Sequence, residues 1–147
     1  MLVVHHTPSP AVQQLLEAAV AGAQVPELSE VDLRVEPALS ATAADLLDAE
    51  AVLLLTPANI GYMSGALKHF FDTIYYPCLE ATQGLPWGLL VHGNDDTAGA
   101  VTSVTRIARA LRWKQVAEVV SVVGAPDRLA LDRAHDLAAT VCAAARS

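Results

Sequence analysis

The sequence predicts a three-layer α/β domain: a five-stranded parallel sheet in the order 2-1-3-4-5, with helices on both faces. Three observations predict it. Short aliphatic runs alternate along the chain with longer stretches whose apolar residues recur three and four apart, the pattern of repeated strand–helix units. The runs Leu2–His5, Ala51–Leu55 and Gly88–Val91 carry almost no polar residue, as strands buried on both faces require. The runs Val31–Val35 and Val116–Val123 include Asp32, Arg34, Glu118 and Ser121, which marks them as edge strands.

Each helix is read from one apolar stripe. Val12, Leu15, Leu16 and Ala19 form the first, and Ala41–Leu47 is a short, weaker helix between the second and third strands. Leu67, Phe70, Phe71 and Ile74 form the next, ahead of Tyr75, Tyr76, Pro77 and Cys78, which are read as following it and as packing or subunit-contact residues. Val101, Val104, Ile107, Ala108 and Leu111 form another, which Trp113 ends. Leu129, Ala134, Leu137, Val141 and Ala145 form the last. Trp87 precedes the fourth strand as a structural residue, and Cys142 is a small core residue. No repeat, linker or composition break divides the chain, so residues 1–147 read as one domain.

Composition excludes several classes. Apolar types make up 53% and charged types 17%, so a packed core is expected and a disordered regulator is not. A formal charge of −7 argues against nucleic-acid binding. Two cysteines do not make a disulfide scaffold or a zinc site. No apolar run is long enough to span a bilayer, and the start lacks a basic region and a cleavage site. A cytoplasmic protein that binds neither nucleic acid nor membrane is therefore expected. His5 and His6 do not read as a metal pair, because adjacent strand residues point to opposite faces.

Right-handed crossovers bring the loops after strands one, three and four to the carboxyl edge of the sheet, beside the switch point where ligands bind in such folds. The first loop is His5-His6-Thr7-Pro8-Ser9-Pro10-Ala11-Val12. Ser9 suits an N-cap and Pro10 the first helical position. Two uses fit: capping alone, or a phosphate held by the Thr7 and Ser9 hydroxyls and the backbone of Ala11 and Val12. The absence of glycine excludes the nucleotide-binding glycine loops. The second loop, Thr56 to Ser64, leads into an amphipathic helix. Gly61 and Gly65 allow close approach or positive φ, Asn59 tolerates strained turns, and Ser64 can cap the helix. Tyr62 and Met63 offer flat, polarizable surface to a planar ring; otherwise the segment is a long connection without a ligand. The third loop runs from His92 to Ala100, where Asp95, Asp96 and Thr97 suit helix capping.

The string TPANIGYMSGALKHFFD, residues 56–72, resembles the TP-x-N/R-x-G-x-x-SG-x-LK-x-F-x-D signature of NAD(P)H-dependent FMN reductases and quinone reductases with the flavodoxin-like fold. The resemblance is dense over this segment and extends along the chain through the strand–helix order. It implies that Pro57, Ala58, Asn59, Ile60, Gly61 and Tyr62 line the flavin ring of FMN. It also implies that His92, Gly93 and Asn94 close the other side. Lys68 and Asp72 match the signature and read as a solvated i,i+4 pair. The first loop departs from the family, with two prolines and no basic residue.

Three functions compete. The first is an oxidoreductase in which NAD(P)H reduces FMN and the flavin reduces a quinone, flavin or similar acceptor, with Tyr62 or His92 as candidates to assist proton transfer. The second is a flavodoxin-type electron carrier that docks a redox protein. The third is a flavin-free binding scaffold. A phospho-receiver is excluded, because His5-His6 and Thr56 stand where it needs acids. The resemblance also implies a homo-oligomer.

Overall fold

The computed structural model describes residues 1–145. The parallel path of the sheet runs β2 (Arg34–Pro37), β1 (Leu2–His5), β3 (Val52–Asn59), β5 (Pro86–Gly93), and then β6 (Lys114–Gln115) and β7 (Val120–Val123), both paired to β5. The expected order and two-sided helix cover are present. Trp87, expected ahead of the fourth strand, lies inside it, and the short helix expected from Ala41 starts at Ala43 after the Thr42 cap. Three further details differ. The last strand is split, because Val116–Val119 leaves the ladder between β6 and β7. The second strand lies at Arg34–Pro37 instead of Val31–Val35, registered by Val3 opposite Val35. The third strand continues to Asn59 and folds back on β4 (Tyr62–Met63) as an antiparallel hairpin, so much of the expected loop is strand.

Alternation along the strands separates two cores. Leu2, Val4, Val52, Leu54, Leu89 and Val91 face α3 (Gly65–Cys78) and α4 (Ala98–Ala110), with Leu46 of α2 (Ala43–Leu47). Val3, Leu53, Leu55, Leu90, Val120 and Val122 face α1 (Pro10–Ala23) and α5 (Arg128–Ala144). The helix stripes are largely buried, with Val101 and Ile107 of α4 half-buried; Leu47 at the end of α2 and Leu129 in the first turn of α5 are exposed, Leu129 by 65%.

Local sequence explains where the helices begin. Ser9 Oγ accepts the Val12 N–H at 3.3 Å, with Pro10 opening α1. Thr42 and Asp45 form a reciprocal capping box on α2. Ser64 Oγ accepts the Leu67 N–H at 3.1 Å and starts α3. Asp127 caps α5 through the Ala130 N–H at 2.8 Å.

Tyr75 to Cys78 belong to the last turn of α3, not to a following segment; the helix runs through Pro77 because its apolar face stays buried against the sheet as far as Cys78. Trp113 lies beyond the end of α4. Its N–H closes on the Ala108 carbonyl at 3.1 Å, and Arg112 takes φ 59° between them. The Trp113 indole donates to Thr82 Oγ1 at 2.9 Å inside the core. Both cysteines are buried thiols, and burial pushes the Cys78 pKa up. Among the described residues, no helix is long and apolar enough to cross a membrane.

Candidate functional site

The carboxyl ends of β1, β3 and β5 meet at one edge. The first loop is tied there by the His6 N–H, which donates to the Leu55 carbonyl at 3.1 Å. Its polar groups are largely engaged with each other. His5 Nδ1 and Thr7 Oγ1 share a hydrogen bond at 2.7 Å, and Ser9 accepts the N–H groups of both Val12 and Gln13. Pro8 and Pro10 lack an N–H, and the Val12 side chain is buried in the core. No basic side chain stands between His6 and Gln13, so this corner has little left with which to hold a phosphate.

Burial lowers the His5 pKa below its ordinary 6.5, with nearby His6 adding to the effect and Glu36 opposing it. The unfolded chain therefore takes up this proton before the folded one does. Stability is full above pH 6.5 and is lost as pH falls through 6.5 towards the lowered native value. His5→Gln should flatten that part of the stability profile, measured by urea unfolding across a pH series. A slope equal to that of the parent would refute the assignment.

The hairpin is the most distinctive part of the edge. Ala58 pairs with Met63 and Asn59 with Tyr62, leaving a two-residue turn of Ile60 and Gly61. Their φ values are 49° and 71°, as a type I′ turn demands. Gly61 takes such a conformation freely, whereas a β-branched residue there costs on the order of 1–2 kcal/mol. Ile60 is nevertheless there and is wholly exposed, at 104% relative accessibility, beside a Tyr62 that is 40% exposed. An apolar side chain that is both strained and solvated gains nothing from folding, and strain of this kind concentrates at ligand clamps. Ile60→Asn should therefore raise the melting temperature by roughly 2–4 °C, corresponding to about 1 kcal/mol, while weakening ligand binding at the tip. An unchanged or lower melting temperature would count against the strain.

The hairpin is held by buried polar groups and one close approach. Thr56 Oγ1 accepts the Ser64 N–H at 3.0 Å and donates to the Pro57 carbonyl at 2.8 Å. Ser103 Oγ, from α4, accepts the Met63 N–H at 3.1 Å and donates to the Ala100 carbonyl at 2.9 Å. The Gly61 carbonyl lies against Gly99, so closely that a Cβ on Gly99 would overlap it. On the other side, a Cβ on Gly61 itself would meet only open space.

The remaining expected residues divide. Asn59, Ile60, Gly61 and Tyr62 are exposed at the tip, Ala58 is half-buried and Pro57 is buried below it. Asn94 is exposed beside them, in the loop that enters α4, where Asp96 Oδ1 accepts the Ala98 N–H at 2.9 Å. His92 and Gly93 are buried. The His92 Nε2–H donates to the Gly124 carbonyl at 2.8 Å, and the Gly93 carbonyl accepts the Gly124 N–H at 2.9 Å, so both tie β5 to the chain beyond β7. Lys68 and Asp72 form the expected surface pair at 2.6 Å, which raises the Lys68 pKa. Thr56, Gly99 and Ser103 were not among the expected site residues. The polar Ser103 on the buried stripe of α4 is the one signal in the sequence that points to this anchoring.

A parallel sheet in this order, with helices on both faces, is the flavodoxin-like fold, and the chain has it. Solved structures share it. A flavodoxin from the domain Archaea is 18% identical, with a TM-score of 0.85 over 99% of this chain and 98% of that one. A WrbA-like flavodoxin from Agrobacterium tumefaciens is also 18% identical, with a TM-score of 0.80 over 99% of this chain and 96% of that one. The flavodiiron protein from Giardia intestinalis is 12% identical, with a TM-score of 0.81 over 99% of this chain but 35% of that longer one. No family model matches the chain. No curated protein matches it in sequence.

Proposed function

We propose that the chain is an FMN-dependent oxidoreductase that passes reducing equivalents from NAD(P)H through bound flavin to a quinone, flavin or similar small acceptor. The observation that carries this reading is the β3–β4 tip, where a strained and solvated Ile60, an exposed Tyr62 and open space beside Gly61 offer a flat surface with room for a ring. When bound, the flavin supplies the hydride and electron chemistry. The chain's residues do the rest. Ile60 and Tyr62 cover a ring face and exclude water from it, and Asn59 and Asn94 offer amide hydrogen bonds to its polar edge. Tyr62 Oη is the better-sited group for carrying a proton, since His92 Nε2 is already committed to Gly124. The two buried thiols are in keeping with a cytoplasmic setting.

The poor phosphate corner shapes the expected affinity. FMN and riboflavin should bind within about tenfold of each other, because few charge-assisted hydrogen bonds reach the phosphate. Fluorescence titration with both flavins tests this. No binding of either defeats the flavin reading, and a large preference for FMN defeats the account of the first loop.

A carrier that exchanges electrons with a redox protein is the second reading, supported by exposed Asp95 and Asp96 beside the tip in a chain of charge −7. Stopped-flow mixing of the flavin-loaded protein with NADPH separates the two. Rapid bleaching is expected of the reductase, and none of the carrier.

A further inference from the structure

Cations are scarce in this chain and unevenly placed. Of nine Lys and Arg residues, Arg106, Arg109, Arg112 and Lys114 crowd the end of α4, and no Asp or Glu lies between Asp96 and Glu118. All four are exposed, and among the described residues none of them forms an ion pair. An unneutralised basic stretch on an acidic protein is where an anion meets the least repulsion.

Arg106 borders two adjoining cavities. One, of about 320 Å³, is the groove between α3 and α4, with an apolar lining that includes Phe71, Tyr75 and Ile107. The other, of about 280 Å³, lies on the outer face of α4 and is lined by Val101, Thr102, Thr105 and Arg109. Spacings of three and four place Thr102, Thr105, Arg106 and Arg109 on one helix face, so two hydroxyls and two guanidinium forks converge. Asp72 in the groove is already neutralised by Lys68 at 2.6 Å.

We propose that this double cavity receives the adenosine 2′-phosphate end of NADPH, with the adenine in the α3–α4 groove against Tyr75 and the 2′-phosphate between Arg106 and Arg109. The choice of a pyridine dinucleotide rests on the redox reading above. The ring offers an aromatic face for the base, and guanidinium forks match phosphate bidentately. The geometry along α4 agrees. Gly99 touches the hairpin tip, and Arg106 and Arg109 follow seven and ten residues later, about 10 and 15 Å down the helix. That is the scale of an extended dinucleotide, so its nicotinamide end reaches the tip. Lys68, which lines the groove, stands one helical turn after Ser64, where α3 leaves the hairpin, so the groove opens towards the hairpin. NADH lacks the phosphate that the arginines would hold, and the site therefore selects NADPH.

The test is calorimetric titration of the full chain with 2′,5′-ADP and with 5′-AMP, independent of turnover. The parent should bind 2′,5′-ADP about tenfold or more tighter than 5′-AMP, and inorganic phosphate should not compete at equal concentration. Arg106→Ala with Arg109→Ala should weaken 2′,5′-ADP about tenfold or more and leave 5′-AMP nearly unchanged. Removing two charges elsewhere, by Arg128→Ala with Arg133→Ala, should change neither. Tyr75→Ala should weaken both ligands alike. Equal affinities for the two nucleotides, equal competition by phosphate, or full binding by the folded Arg106/Arg109 variant would overturn the proposal. Flavin titration of the same samples keeps the two ideas apart. Flavin binding without 2′,5′-ADP binding removes the groove alone, and the reverse removes the flavin reading and leaves the groove as a nucleotide site.

Discussion

Gly99→Ala is expected to unseat the hairpin and abolish ring binding. The added methyl would overlap the Gly61 carbonyl, which is backbone and cannot swing aside as a side-chain end would. Either α4 shifts or the tip lifts, and lifting also strains the Met63 N–H bond to Ser103. Alanine is the better helix former by about 1 kcal/mol, so propensity alone predicts a gain. Overpacking against rigid neighbours costs about 1–3 kcal/mol and outweighs it. A net loss of about 1–2 kcal/mol, with flavin affinity reduced beyond measurement, is the expected pair of readouts from thermal unfolding and fluorescence titration. Gly65→Ala is the control. It lies at the start of α3 with open space around the missing Cβ, and should leave both readouts unharmed. Wild-type flavin binding by the Gly99 variant would mean that the tip does not need its seat on α4.

Gly22→Ala should give the largest loss of stability. Near the end of α1 the backbone of Gly22 presses on the backbone of His135 in α5, and a Cβ would run into the His135 carbonyl. The two helices cover the same sheet face and share one core, so separating them loosens Leu15, Leu16, Ala19, Leu137 and Val141 together. The expected cost is about 3 kcal/mol, or roughly 6–12 °C in melting temperature, despite the better helix propensity of alanine. The hairpin end of the molecule would be untouched, so flavin affinity measured well below the melting point should stay near that of the parent. An equal or higher melting temperature would show that the helices adjust without penalty.

Much of the fold was legible because its determinants are local. Uniformly apolar runs marked the inner strands, polar residues at Arg34 and Ser121 marked the edges, and Ser9-Pro10 and Ser64 marked helix starts. The misplaced features are those that tertiary packing decides. The apolar run Val116–Val123 reads as one strand, yet only Val120–Val123 and the preceding Lys114–Gln115 pair with β5. Nothing local distinguishes Ile60-Gly61 as a tight turn, since the usual sequence for it is Asn-Gly and isoleucine disfavours it. The hairpin is held because the Thr56 and Ser103 hydroxyls accept the Ser64 and Met63 N–H groups from eight and forty residues away. Leu129 is exposed because the buried stripe of α5 begins at Ala130, four residues before Ala134, and Leu129 lies one position off that face. The positions at the tip were found through the resemblance of residues 56–72, whereas the seat beneath them, Gly99 against Gly61, is a through-space relation with no spacing to betray it.

The broken last strand has a consequence for how these molecules behave in a crowded solution. Unpaired strand borders invite the same border of another molecule to extend the sheet indefinitely. Here one border offers only two residues at Lys114–Gln115 and four at Val120–Val123, interrupted by Val116–Val119, and the opposite one is the four-residue Arg34–Pro37, which starts with a cation and ends in an imide nitrogen. Neither presents an unbroken row of amide groups long enough to template a fibril, so the interruption that hid the strand from its sequence also keeps one copy from zipping onto the next.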